Sequence, residues 1–162
     1  MKLIRTDGEK FEFEMAPKEK DLLLQLLQLY PLVPETYHRL SKGSRIPNRD
    51  ENQRLLDDAL NAQRRANKNQ LLAFLKEPGR FAAGATGWQV DFTRGEIEWL
   101  LQVLNDVRIG SWIALGSPGY SEGERPLPDN HSLRHVVAME LAGGFETYFL
   151  GAVSGDLPPE QA

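Results

Sequence analysis

The chain has 162 residues, a formal net charge of −4, 41% hydrophobic and 26% charged residues, and no cysteine. That size and balance fit one soluble globular domain with a sizeable core. The absent thiol excludes disulfides, thiolate catalysis, thiol redox sensing and cysteine-based zinc sites, and the acidic net charge gives no general pull toward nucleic acid or an anionic bilayer.

Residues 2–15, KLIRTDGEKFEFEM, read as a β-hairpin. Asp7-Gly8 suits a two-residue type I′ turn, because both central residues of that turn need positive φ. Such a turn places Ile4 opposite Phe11. Phe11, Phe13 and Met15 then share one face, with Glu12 and Glu14 on the other. Pro17 is a good first helical residue, and Glu19 and Asp21 suit the positive end of the helix dipole. A Leu-rich core helix should follow to about Tyr30, where Pro31 stops it. Residues 31–48 are rich in Pro, Ser, Gly and Asn and read as loop. Their SKGSR segment lacks the spacing of a phosphate loop.

Asn48 and Glu51 form a plausible capping box. The helix behind it should run to about Lys76, with Leu55, Leu56, Ala59, Leu60, Gln63, Ala66, Leu71, Phe74 and Leu75 as its buried stripe. Residues 79–87 read as a Gly/Ala-rich connection. Trp88, Val90 and Phe92 alternate with Gln89 and Asp91, which is a half-buried strand. Thr93 and Glu96 make a second capping box, stapled by Phe92 and Ile97. The helix they start is apolar on most of its circumference and belongs at the centre of the domain, ending at Gly116. A Pro/Gly-rich loop leads to a last helix from about Asn130 to Leu150. Gly143-Gly144 weakens that helix relative to alanine, which makes sense where another backbone packs closely. The expected fold is mainly α (α+β): a four-helix core with a small three-stranded antiparallel sheet from the N-terminal hairpin and residues 88–92. Residues 1–153 form the single domain and 154–162 a flexible tail.

Wheel geometry puts Arg108 among Leu101, Leu104 and Leu115, and Glu140 among Val136, Val137 and Gly144. A buried Arg needs a partner, so Arg108 and Glu140 are expected to pair across the two helices, either to specify the fold or to line a cleft that meets an anion. Asp106 points away from Arg108 and reads as surface. Asn105 flanks the buried face, within reach of a neighbouring backbone group. Arg39, Lys42, Arg45, Arg54, Arg64, Arg65 and Lys68 make a basic strip if they converge. His131 and His135 share a helix face, but a metal site needs a third ligand from His38, Asp129 or Glu140. No nucleophile elbow, HExxH or dinucleotide fingerprint appears, so no catalytic residue, metal or cofactor is implied.

The segment EWLLQVLNDVRIGSWIALG, with Asn105, Asp106, Val107, Arg108, Ile109 and Gly110 at its centre, resembles the signature helix of the AosR-like family, oxidative-stress regulators best known from actinobacteria. The resemblance implies a regulatory, non-enzymatic role with the transcription machinery as partner. The family's thiol switch needs a cysteine pair that this chain lacks. The reading is therefore a cytoplasmic regulatory or protein-interaction domain, helical, without a membrane span. The alternatives are a small-ligand binder or enzyme built on Arg108 and Glu140, and a nucleic-acid binder built on the basic strip. A homodimer through an exposed leucine face stays open.

Overall fold

The computed structural model describes residues 1–40, 47–84, 86–117 and 130–159. In chain order it builds β1 (Lys2–Thr6), β2 (Lys10–Met15), α1 (Pro17–Gln28), α2 (Arg49–Lys76), β3 (Phe81–Ala83), β4 (Trp88–Thr93), α3 (Arg94–Ala114) and α4 (Asn130–Ser154). The four strands form one antiparallel sheet in the order β1-β2-β4-β3. The hairpin and residues 88–93 pair as their alternation predicts, and β3 adds a fourth strand on the outer side of β4. Three residues, two of them alanine and exposed, carry no alternation from which to read a strand. The strand is instead made by its turn, where Gly84 N–H donates to Gly87 O at 2.8 Å. A Cβ on Gly87 would collide with the Met15 carbonyl, so that close approach of β4 to the end of β2 requires glycine.

The hairpin turn differs from the two-residue form. Thr6 pairs with Phe11, leaving residues 7–9 between the strands, and a bulge between Leu3 and Arg5 absorbs Ile4, which therefore does not face Phe11. The cause is Asp7. Its Oδ1 accepts from the Glu9 and Lys10 amides at 2.9 and 2.7 Å, stabilising a wider turn with Gly8 at φ +91°. Those two amides hold the Asp7 carboxyl below the usual carboxylate range.

One face of the sheet is wholly apolar. Leu3, Phe11, Phe13, Met15, Val90 and Phe92 are buried there. Phe13, Phe92 and Phe149 of α4 form an aromatic knot with ring centroids 5.6–5.9 Å apart. α1 covers this face with Leu23, Leu26 and Leu27 and ends at Gln28, two residues before Tyr30. α3 begins with the expected capping box: Thr93 Oγ1 accepts from Glu96 N–H at 3.2 Å, and Glu96 Oε2 accepts from Thr93 N–H at 2.7 Å. It buries Ile97, Trp99, Leu100, Val103, Leu104, Val107, Gly110 and Ser111 against its neighbours. α4 lies along α3 and buries Ala138, Ala142, Glu146, Phe149 and Ala152.

α2 departs most from expectation. Asn48 sits at φ +54° and makes no side-chain cap, so the Asn48–Glu51 capping box does not form. Only Asn67, Leu71 and Phe74 are fully buried, while Leu55 is 63% exposed and Ala59, Gln63 and Ala66 are exposed as well. The expected stripe took its N-terminal half to face the core. In the fold the sheet and α3 meet only the C-terminal part of the helix, and the N-terminal part runs on past them.

Candidate protein-interaction site

The Asn105–Gly110 stretch of α3 sits where four segments meet. Asp106 Oδ1 accepts from the backbone N–H groups of Leu32 and Val33, at 2.6 and 3.2 Å. One turn later Gly110 lies directly under Leu32, whose backbone and Cβ leave no space for a side chain. The other side of the same 30–34 segment is held by α2. Arg64 Nη2 donates to Val33 O at 2.9 Å, and the buried side chains of Tyr30 and Asn67 lie beside each other. Burial pushes the Tyr30 phenol above its ordinary range, and the neighbouring Asn67 side chain offsets part of that shift. Asp106 is therefore a half-buried backbone anchor rather than a free surface carboxylate, and its neighbour Asn105 accepts from Arg108 Nη2 at 3.2 Å.

Arg108 does pair across to α4, but with Glu146 and not with Glu140. Its Nε lies 3.0 Å from Glu146 Oε2, with the Arg side chain 47% exposed and the Glu side chain 10% exposed. Glu140 is on the outside of α4. The wheel assumed that the bulky residues Val136 and Val137 mark the buried side of α4. The contact is made instead by Ala138 and Ala142, whose small side chains bring the helices close and send the bulkier residues outward. Gly143-Gly144 is not the point of closest approach. A Cβ on Gly143 would make ordinary contact with Arg108 Cδ at 3.8 Å, and one on Gly144 would meet nothing. No local pattern marks Glu146 as inward, because its buried neighbours on the stripe are Ala138, Ala142 and Phe149. In a helix apolar all round, alanine spacing was the available signal.

Desolvation raises the Glu146 carboxyl above its ordinary value, and the Arg108 guanidinium pulls it part of the way back. The pair closes one side of the α3–α4 seam. With Arg108 half in solvent and bonded to both Asn105 and Glu146, its donors serve the fold.

The basic strip divides among separate tasks. Arg64 holds Val33 and Pro34, and Arg39 Nε donates to Thr36 O at 3.2 Å. Arg54, Arg65 and Lys68 are exposed along one side of α2, with Asp58 among them. Lys42 and Arg45, like the SKGSR segment around them, lie outside the described residues, as do Asp129 and the His131 side chain. Among the described residues no group of three or more histidines and carboxylates could hold a metal ion, and His38 meets Tyr37 edge-on beside α2. A cleft of about 340 Å³ opens between α2 and α3, lined by Gln70, Phe74, Glu77, Glu96 and Trp99. The two carboxylates at that cleft are both ion-paired to Arg80.

The fold also leaves large apolar side chains in solvent. On α4, Leu133, Val137 and Leu150 are 46%, 45% and 55% exposed. By length and composition, residues Ser132–Ser154 are apolar enough to cross a bilayer, with a mean hydropathy of 1.3. In the fold one side of this helix packs on α3 and the other stays uncovered. Comparison with family models, curated proteins and solved structures finds no match to this chain.

Proposed function

We propose that this protein is a non-enzymatic regulatory module that works by binding another protein through the outer face of α4. One observation carries the reading: Leu133 and Val137 stand in solvent on the side of α4 opposite its packed stripe, with Leu150 exposed nearer the edge of that stripe. Large side chains exposed on one face cost free energy until something covers them, and such patches mark binding surfaces. Glu140 on the same face gives a charged landmark that orients a partner. The resemblance of the Asn105–Gly110 motif to AosR-like regulators points to the transcription machinery as that partner, without thiol sensing.

The test places a photocrosslinking amino acid at Val137 in the native host and compares it with one at Glu98, an exposed position on α3. Crosslinks to RNA polymerase or a sigma factor from position 137 alone are expected, and Leu133→Glu should remove them. Flotation of the purified chain with vesicles, lost in the same variant, would replace the protein partner by a bilayer. Equal crosslinking from both positions would end the reading.

A further inference from the structure

α2 has 28 residues, about 42 Å of helix, yet its fully buried side chains all lie in its last ten positions. The side turned to the body carries Gln53, Leu60, Arg64, Asn67, Leu71 and Phe74. At about 100° per residue, the side roughly opposite carries Leu55, Ala59, Ala62, Ala66, Asn69 and Ala73. Every one of these six is exposed. Their spacing alternates four and three along the whole face, which is the core pattern of a two-helix coiled coil. The face is apolar apart from Asn69, and the nearest charges stand beside the seam instead of on it. Here Asp58 and Arg65 flank the seam on one side, and neither makes a hydrogen bond or ion pair with a described residue of its own chain.

We propose that α2 pairs in antiparallel fashion with α2 of a second copy of this chain, about a two-fold axis between Leu60 and Asn61. In this register Leu55 lies against the partner's Ala66, and Ala59 against the partner's Ala62, so large meets small at the ends of the seam and small meets small at its centre. Asn52 falls opposite the partner's Asn69. On the flank, Asp58 faces the partner's Arg65, and the two-fold repeats the pair as Arg65 against the partner's Asp58 on the same flank. The register is selective. Sliding by one heptad sets Arg65 against the partner's Arg65 in one direction, and Asp58 against the partner's Asp58 in the other. A parallel pairing sets both charges beside the partner's Gln63 and the partner's Gln70 and stacks Leu55 on the partner's Leu55. Alanine at the central layers lets the two backbones approach closely, and the seam faces away from the rest of each body. This surface is distinct from the outer face of α4, so it stands or falls independently of the regulatory reading.

The test is sedimentation equilibrium of the full chain with disulfide mapping, which the absence of native cysteine makes clean. Ala59→Cys and Ala62→Cys chains are mixed and oxidised. The expected result is a dimer in which the mixed disulfide exceeds both self-disulfides about tenfold, because only the antiparallel register brings those two positions together. Arg65→Asp should raise the dimer dissociation constant roughly three- to tenfold, and adding Asp58→Arg to it should restore the wild-type value. Ala62→Glu should abolish the dimer while leaving the circular dichroism of the monomer unchanged, since the position is solvent-facing. A chain that stays monomeric at every concentration, an excess of self-disulfides, or a dimer indifferent to Ala62→Glu each overturns the proposal.

Discussion

Three glycines and one carboxylate show how differently single positions are used. Gly110 is required by contact, because a Cβ there would strike Leu32. Gly110→Ala should lower stability by about 1–3 kcal/mol as the 30–34 segment is pushed off α3. Gly144 has open space around it in a helix interior, so Gly144→Ala should raise stability by about 0.5–1 kcal/mol. Gly87, under the Met15 carbonyl, belongs with Gly110. Thermal unfolding of the three alanine variants checks the order. Glu146 makes a prediction in pH. Its folded-state pKa lies above the ordinary 4.5, so the neutral form suits the folded state better. Its penalty is absent below that ordinary value and grows as pH rises through the folded pKa. Glu146→Gln should therefore gain in melting temperature relative to the native chain as pH goes from acid to neutral. A difference that stays flat across that range would show that Arg108 fully compensates the burial. None of this was readable from residue types alone: Gly110 and Gly144 look alike in the chain, and only the neighbour across the gap tells them apart.

At the level of elements, local chemistry was legible and facing was not. The Thr93–Glu96 box and the Phe11, Phe13, Met15 alternation are set by groups within a few residues of each other, and both appear in the fold as expected. The inward sides of α3 and α4 were harder to read, because both are apolar round most of the circumference and periodicity cannot choose between sectors. Alanines, not the bulky residues, mark where those helices touch. For α2 the periodicity reported the core only in the C-terminal part, where Leu71 and Phe74 are buried. Leu71→Ala should cost about 2–4 kcal/mol, and Leu55→Ala less than about 0.5 kcal/mol in the monomer, measured by urea unfolding at low protein concentration. Similar costs at both positions would mean that the N-terminal part of α2 is packed in solution.

Across the whole molecule, the 30–34 segment is a polar junction among apolar layers. α1 leads into it, α3 holds its amides through Asp106, and α2 holds its carbonyls through Arg64. These bonds join parts of the chain far apart in sequence, which is why no local pattern announced them. Removing one partner leaves half-buried groups unsatisfied. Asp106→Ala should cost about 1–3 kcal/mol and keep a single unfolding transition by both fluorescence and far-ultraviolet dichroism. Divergent transitions would mean that the Asp106 junction, and not the packing of Phe74 on Phe92 and Trp99, couples α2 to the rest of the body. The candidate site follows the same division: the expected buried Arg108–Glu140 pair does not form, since both residues are exposed and Arg108 meets Glu146, and both facts depend on which way the helices turn.

The sheet has one further consequence, at its two margins. β3 offers a template of only three residues, and β1 is kinked by the bulge that absorbs Ile4. A short margin and a bent one are poor docking rails for a foreign strand. The aromatic face of the sheet is thus shielded from growing into cross-strand aggregates even when many copies are crowded together. Concentrated solutions should stay free of fibres that bind amyloid dyes, and straightening β1 by deleting Ile4 is the change most apt to remove that protection.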